Sequence, residues 1–266
     1  MPGPVMKRVE EGDPVELLVV RGWRRKAYYI RPRRNAVYAT FEGVLRGDEI
    51  IGRPWGYRGR IGRATYYILP PTRHQLVKEF GERKTQVIYL KDSAYIAYRA
   101  GLMPGSRVFE AGVGSGFLTI TLAAIVCPTG TVYGVEERPD ALEAARRNIE
   151  LAGLSECVRL RLGDVTQGVG VEGLDAGFLD LPDPWEAFDA AYNALKPGAP
   201  LVVFLPTMNQ LVKLVEAVEA DGRFVVEEGG ELLWREFEMV PGAVKPSTRM
   251  IGHTGYIVVL RRLAGE

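Results

Sequence analysis

A glycine-rich turn, Glu110-Ala111-Gly112-Val113-Gly114-Ser115-Gly116, follows a short apolar run and precedes a helical one. Glycines at such a junction let the chain turn tightly and let a ligand approach the backbone. The next apolar run ends Gly134-Val135-Glu136, about 20 residues on, where a carboxylate can bind a ribose diol. A further acid, Asp164, stands after the third run in Gly163-Asp164-Val165. The fourth run ends Asp180-Leu181-Pro182-Asp183-Pro184-Trp185, and the two prolines restrict the backbone that aims Asp180. Ligands of open parallel sheets sit beyond the carboxyl ends of the strands. Asp180 is therefore expected to face the reacting end of a nucleotide-like ligand.

Those groups need elements to hold them. Strand-length runs at Arg107–Phe109, Thr131–Val135, Val158–Leu162, Ala176–Leu179 and Pro200–Phe204 alternate with helical stretches at Leu118–Ile125, Pro139–Ala152, Trp185–Ala194 and Met208–Glu219. The alternation predicts a Rossmann-like, doubly wound α/β fold with a mostly parallel sheet. Leu232–Val240 and Gly255–Arg261 follow each other without a helix, which predicts an antiparallel pair at the sheet edge. Upstream, short runs at Val15–Val20, Lys26–Ile30, Val37–Thr40 and Thr65–Leu69 stand between turn formers and predict a small all-β module. Thr72–Phe80 reads as a short helix. The expected organisation is a barrel-like β domain over 1–72, a linker and helix over 73–105, and a catalytic domain over 106–266.

With 266 residues, 47% hydrophobic and 25% charged, the chain has ordinary globular composition. Disorder, collagen and coiled coil are excluded, and no apolar run reaches the length of a membrane helix. The start, Met-Pro-Gly-Pro-Val-Met-Lys-Arg, lacks the apolar stretch of a signal peptide, so a cytoplasmic protein is expected. Two cysteines, Cys127 and Cys157, and two histidines, His74 and His253, are too few for a zinc framework, and no metal is expected. The cysteines read as small buried hydrophobes, with their pairing left open. Asn and Gln number four each, while Arg and Glu abound, a pattern common in proteins from hot environments. The net charge of +1 hides an asymmetry: residues 1–80 hold 16 Lys and Arg against 8 Asp and Glu, or +8, and the remainder balances at −7. A basic module of this kind suits a polyanion. Arg24, Arg25, Lys26, Arg31, Arg33 and Arg34 crowd one stretch with Tyr28 and Tyr29 between them, a composition for phosphate contacts with stacking.

A dinucleotide fingerprint would need a third glycine at position 117, which is Phe117. The turn instead resembles motif I of the class I S-adenosylmethionine-dependent methyltransferases. Within them, Asp180-Leu181-Pro182-Asp183-Pro184-Trp185 resembles the tRNA (adenine-N1)-methyltransferases that modify adenine 58 of the T-loop, and in archaea also adenine 57. Gln86-Val87-Ile88-Tyr89-Leu90-Lys91-Asp92 is similar to the family's Tyr-Pro-Lys-Asp segment, departing from it at Leu90. Leu205-Pro206-Thr207-Met208-Asn209-Gln210 and Gly252-His253-Thr254-Gly255 match it as well. The resemblance implies S-adenosylmethionine as cofactor, tRNA as partner and a homotetramer. It implies catalytic roles for Asp180 and for Tyr89, whose ring would hold an extruded base. It implies cofactor contacts from Gln86, Glu110, Gly112, Gly114, Ser115, Gly116, Phe117, Leu118, Glu136, Asp164, Val165 and Asp180. RNA contacts are expected from Arg24, Arg25, Lys26, Arg33, Arg34 and His253. Two other readings stay open at this point: a methyltransferase for another RNA base or for protein isoaspartate, and a tRNA-binding subunit without activity.

Overall fold

The computed structural model describes residues 7–265, so the Met-Pro-Gly-Pro-Val-Met start lies outside the described residues. The chain divides into two compact units, residues 7–80 with 235–249, and residues 81–234 with 250–265.

In the first unit β1 (Val15–Arg21), β2 (Arg24–Ile30), β3 (Val37–Thr40), β4 (Gly43–Arg46), the short α1 (Gly47–Ile50), β5 (Tyr57–Ile61), β6 (Ala64–Leu69) and α2 (Arg73–Phe80) follow in order. Four strands form an antiparallel sheet in the order β2-β1-β6-β5, while β3 and β4 pair by themselves. The period-two alternation of β1 buries Val15, Leu17 and Val19 with Tyr66, Ile68, Leu45 and Ile50. β5 is not visible in the sequence because Tyr57-Arg58-Gly59-Arg60-Ile61 looks like a loop. Its Gly59 lies against the Tyr66 ring, where a Cβ would overlap the ring, so only glycine lets the two strands pair there.

The second unit contains α3 (Leu90–Arg99), β7 (Arg107–Ala111), α4 (Phe117–Val126), β8 (Thr131–Glu136), α5 (Pro139–Leu151), β9 (Val158–Leu162), β10 (Ala176–Leu179), α6 (Phe188–Ala194), β11 (Pro200–Leu205), α7 (Met208–Asp221) and β12 (Phe224–Gly230). Two short strands, β13 (Phe237–Glu238) and β14 (Lys245–Pro246), then pair within the first unit before β15 (Tyr256–Arg262) completes the second. The sheet order is β12-β15-β11-β10-β7-β8-β9, and β15 alone runs against its neighbours. β10 and β11 are buried along their whole length, as strands covered on both faces must be.

Three sequence expectations change here. The edge pair is made by β12 and β15, and β15 lies inside the sheet between β11 and β12 rather than at its edge. Leu232–Val240 is apolar in type but contributes only the two residues of β13, whereas β12 ends Glu227-Glu228-Gly229-Gly230 and bulges between Val226 and Glu228. The expected linker over 73–105 divides: α2 clusters with the first unit and 81–105 with the second. What fastens the latter is Asn148 on α5. Its Nδ2 donates to the Glu82 and Ser115 carbonyls at 2.7 and 2.8 Å, and its Oδ1 accepts from Glu82 N at 2.8 Å. Cys127 and Cys157 are joined in a disulfide across 30 residues of chain. In the chain-entropy account such a closure contributes about 3–4 kcal/mol.

Candidate active site

Beyond the carboxyl ends of β7 to β10 lies a cavity of about 420 Å³, walled by Gln86, Gly112, Gly114, Glu136, Asp164, Val165 and Asp180 among others. A recess of about 20 Å³ adjoins several of the same residues and is lined also by Glu110, Ser115, Phe117 and Leu118. The glycine turn bends at φ +82°, +55° and +82° for Gly112, Gly114 and Gly116, a region costly for other residues. Contacts crowd an added side chain as well. A Cβ on Gly112 would overlap the Asp180 carbonyl, one on Gly114 would come within 2.7 Å of Thr85 Oγ1, and one on Gly116 within 3.2 Å of Ala145 Cβ.

Glu136, buried, is aimed by two backbone donors: Gly114 N reaches its Oε2 at 2.7 Å and Arg138 N its Oε1 at 3.0 Å. Asp164 caps the turn after β9, and Thr166, through its side chain and through its backbone N at 2.8 Å, holds the carboxyl below the usual range. Asp180 is different. Burial raises its carboxyl to about 7, and the nearby Glu136 charge adds to the effect. Glu110, 1% exposed, is pushed by burial to about 8, with the Asp180 and Glu136 charges acting in the same direction. Its Oε2 has no hydrogen-bond partner.

Among the described residues none of the four acids Glu110, Glu136, Asp164 and Asp180 forms an ion pair with Lys, Arg or His. Carboxyl groups gathered at a glycine-cradled cavity, where Arg138 of the wall pairs with Asp140 at 2.9 Å instead of with them, suit a ligand that brings positive charge. The residues present therefore fit a sulfonium nucleoside. Among the described residues no group of three or more His, Cys, Asp or Glu is arranged to hold a metal ion, and no helix is long and apolar enough to cross a membrane.

Residues 65–241 match the family model described as the tRNA methyltransferase complex GCD14 subunit. The tRNA (adenine(58)-N(1))-methyltransferase TrmI of Thermus thermophilus is 34% identical over 248 residues, 92% of this chain and 96% of that protein. The chain belongs to this family. The tRNA (adenine(57)-N(1)/adenine(58)-N(1))-methyltransferase TrmI of Methanocaldococcus jannaschii is 35% identical over 74% of this chain and 78% of its own length. The crystal structure of the tRNA (m1A58) methyltransferase TrmI from Aquifex aeolicus superposes with a TM-score of 0.86 at 31% identity, covering 97% of this chain and 100% of that one.

In this TrmI-like chain the cavity gathers Gln86, Gly112, Gly114, Glu136, Asp164, Val165 and Asp180, while Glu110, Ser115, Phe117 and Leu118 border the smaller recess. Gly116 borders neither and turns the chain into α4. Ser115 holds a strap rather than presenting a free hydroxyl: its Oγ accepts from Lys84 N at 2.9 Å and Thr85 N at 3.2 Å. Tyr89 caps α3 just after the cavity-lining stretch, is 38% exposed, and lines neither space. His253 also lies outside both. Its Nδ1 and Nε2 lie 2.9 Å from Glu231 Oε2 and 2.9 Å from the Pro206 carbonyl, and those contacts raise its pKa.

In the first unit Arg24, Arg25, Lys26, Arg33 and Arg34 are exposed. Arg24 lies 4.3 Å over the Phe41 ring and Lys26 4.9 Å over Tyr28, while Arg34 pairs with Glu11 at 3.7 Å. Sequence reasoning missed the strap residues Thr85 and Asn148. Asn148 did carry a signal, as a polar residue on the otherwise apolar face of Ala144, Ala145 and Ile149.

Proposed function

We propose that this chain is a cytoplasmic tRNA (adenine-N1)-methyltransferase that makes 1-methyladenosine at position 58 of the T-loop, with adenine 57 as a second target. The observation that carries the reading is Asp180. It is a carboxyl raised to about 7 by its surroundings, on the wall of a cavity whose other acids answer a nucleoside. S-adenosylmethionine, when bound, supplies a methyl group on a positively charged sulfur. Glu136, already aimed by Gly114 and Arg138, takes the ribose diol, and Asp164 accepts from the adenine amine. The glycine turn lets the ligand lie against backbone.

N1 of adenine has its own lone pair, so the protein need not activate it; placement alone contributes several kcal/mol. Alkylation makes the ring cationic and acidifies its exocyclic amine. Asp180 accepts that amine's hydrogen bond, which strengthens as charge develops, and finally takes the proton. N1 lies on the pairing edge, so the base has to be extruded before reaction. Tyr89, exposed beside the cavity-lining stretch, offers a ring on which the base stacks.

Glu136→Ala removes a charge-assisted contact and should weaken the cofactor by roughly 1–3 kcal/mol. Isothermal calorimetry that finds the affinity unchanged sinks the ribose role. Among the described residues no acid pairs with Arg24, Arg25 or Arg33, so their charge is available to phosphates. Replacing all three by Ala should lower tRNA affinity and flatten its salt dependence. The slope of log affinity against log salt should fall by roughly 0.7–0.9 for each phosphate no longer neutralised. Cofactor affinity should not move. Fluorescence titrations at several salt concentrations test this, and an unchanged slope in an intact assembly would place the tRNA elsewhere. A homotetramer completes the proposal. It is supported by exposed large apolar side chains on the second unit, Leu233, Trp234, Met250 and Ile251 among them, and sedimentation equilibrium decides it.

A further inference from the structure

The motifs Leu205-Pro206-Thr207-Met208-Asn209-Gln210 and Gly252-His253-Thr254-Gly255 line neither the cavity nor its recess. They hold the loop that follows Asp180. Gln210 Nε2 donates to the Pro182 carbonyl at 2.9 Å, and Leu181, Pro182 and Asp183 wall the cavity. Gln210 Oε1 accepts from Thr207 Oγ1 at 2.6 Å, and Thr207 caps α7 by accepting from Gln210 N at 3.3 Å. One residue earlier, the Pro206 carbonyl faces His253 Nε2 at 2.9 Å, and the other ring nitrogen faces Glu231 Oε2 at 2.9 Å.

Two acceptors, one on each side of the ring, suit an imidazolium that donates to both. The ring also packs on Tyr256, with centroids 4.6 Å apart. The cation near it, Lys91, is itself engaged: its Nζ donates to Asp92, the Leu232 carbonyl and Thr254 at 2.7, 2.8 and 2.6 Å. Thr254 donates to the fully buried Asp92 at 2.8 Å. The backbone that presents His253 is thereby anchored to α3.

We propose that Gln210 and His253 are positioning residues for methyl transfer. Gln210 grips the loop at Pro182 and so fixes the direction of the Asp180 carboxylate, while His253 steadies the Pro206–Thr207 turn from which Gln210 acts. The proposal rests on the role given to Asp180 above. It competes with two simpler roles: Gln210 as nothing more than a helix cap, and His253 as an RNA contact.

Gln210→Glu separates the first pair. A glutamate at this place keeps the capping acceptor and suits the helix N-terminus, but it cannot donate to Pro182. Its kcat should fall roughly ten- to hundredfold, the scale of a misplaced catalytic group. The tRNA KM, the cofactor Kd and the melting temperature should stay within error of wild type, and amide exchange at Leu181, Asp183 and Trp185 should quicken. His253→Ala should lower kcat with the same split. The double variant should be no slower than the worse single one, because both act through one loop. An unchanged kcat or unchanged loop exchange in Gln210→Glu overturns the proposal, as do additive effects in the double variant. A raised tRNA KM with a shallower salt slope in His253→Ala makes that residue an RNA contact and overturns its positioning role. Wild-type protein that methylates no tRNA would refute the function instead, and loop exchange would still decide whether Gln210 holds the loop.

Discussion

Asp180→Asn should lower the single-turnover rate of methyl transfer by about 10²–10⁴-fold, the range for loss of a general base. Cofactor affinity should stay within a few-fold, because the ribose and adenine contacts proposed for Glu136 and Asp164 come from the ends of β8 and β9. Asparagine keeps the size of the side chain and one acceptor oxygen, but it cannot take the proton released by the exocyclic amine. The pH dependence follows from the same environment. In the free protein Asp180 is held at about 7 by burial and by Glu136. The carboxylate is the active form, so kcat/KM should rise with pH through that value and then level off. A bound sulfonium stabilises the ionised carboxylate, so the limb seen in kcat should lie at lower pH than the limb seen in kcat/KM. Rapid-quench measurements from mildly acidic to mildly alkaline pH on both proteins check this. A variant within a few-fold of wild type, or a wild-type profile flat on the acid side of neutrality, would remove Asp180 from the chemistry.

The groups for this chemistry were legible because they sit at the ends of strands whose runs are unmistakable. Gly112, Gly114, Glu136, Asp164 and Asp180 each carry a local signal, and all five wall one cavity. What stayed hidden depends on partners distant in the chain. Ser115 has the type and place of a cofactor ligand, yet its hydroxyl is taken by backbone donors 30 and 31 residues earlier. His253 has the type of an RNA contact, yet both its nitrogens face groups 22 and 47 residues away. The two cysteines meet only because the end of α4 and the start of β9 come together. The strand errors have the same origin. β12 carries two glutamates and two glycines and reads as a loop, but it completes the sheet because β15, buried from Ile257 to Leu260, needs a neighbour on that side. Leu232–Val240 has strand-like residues, but only Phe237 and Glu238 find a partner, in the two-residue β14, and its side chains are left largely exposed.

Gly112→Ala should be strongly damaging for a single added methyl group. Two costs combine. Position 112 has φ +82°, which a residue with a Cβ adopts at a penalty of about 1–2 kcal/mol. The larger cost is steric: the new methyl would overlap the Asp180 carbonyl oxygen, which is backbone and cannot rotate away. That oxygen belongs to the residue whose amide donates to the Ala111 carbonyl at 3.0 Å, so β7 and β10 would have to part where their ends form the cavity wall. Cofactor affinity should fall by more than a hundredfold, the scale of roughly 3 kcal/mol. Turnover should fall further than binding, since Asp180 is displaced together with the turn. Gly170→Ala is the control. It too has positive φ, +83°, but no atom lies within 4 Å of its added methyl, so it bears the conformational cost without the collision. Calorimetry and thermal melts on the pair separate strain from overlap. If Gly112→Ala binds S-adenosylmethionine as tightly as Gly170→Ala, the close packing of the glycine turn on Asp180 is not what shapes the site.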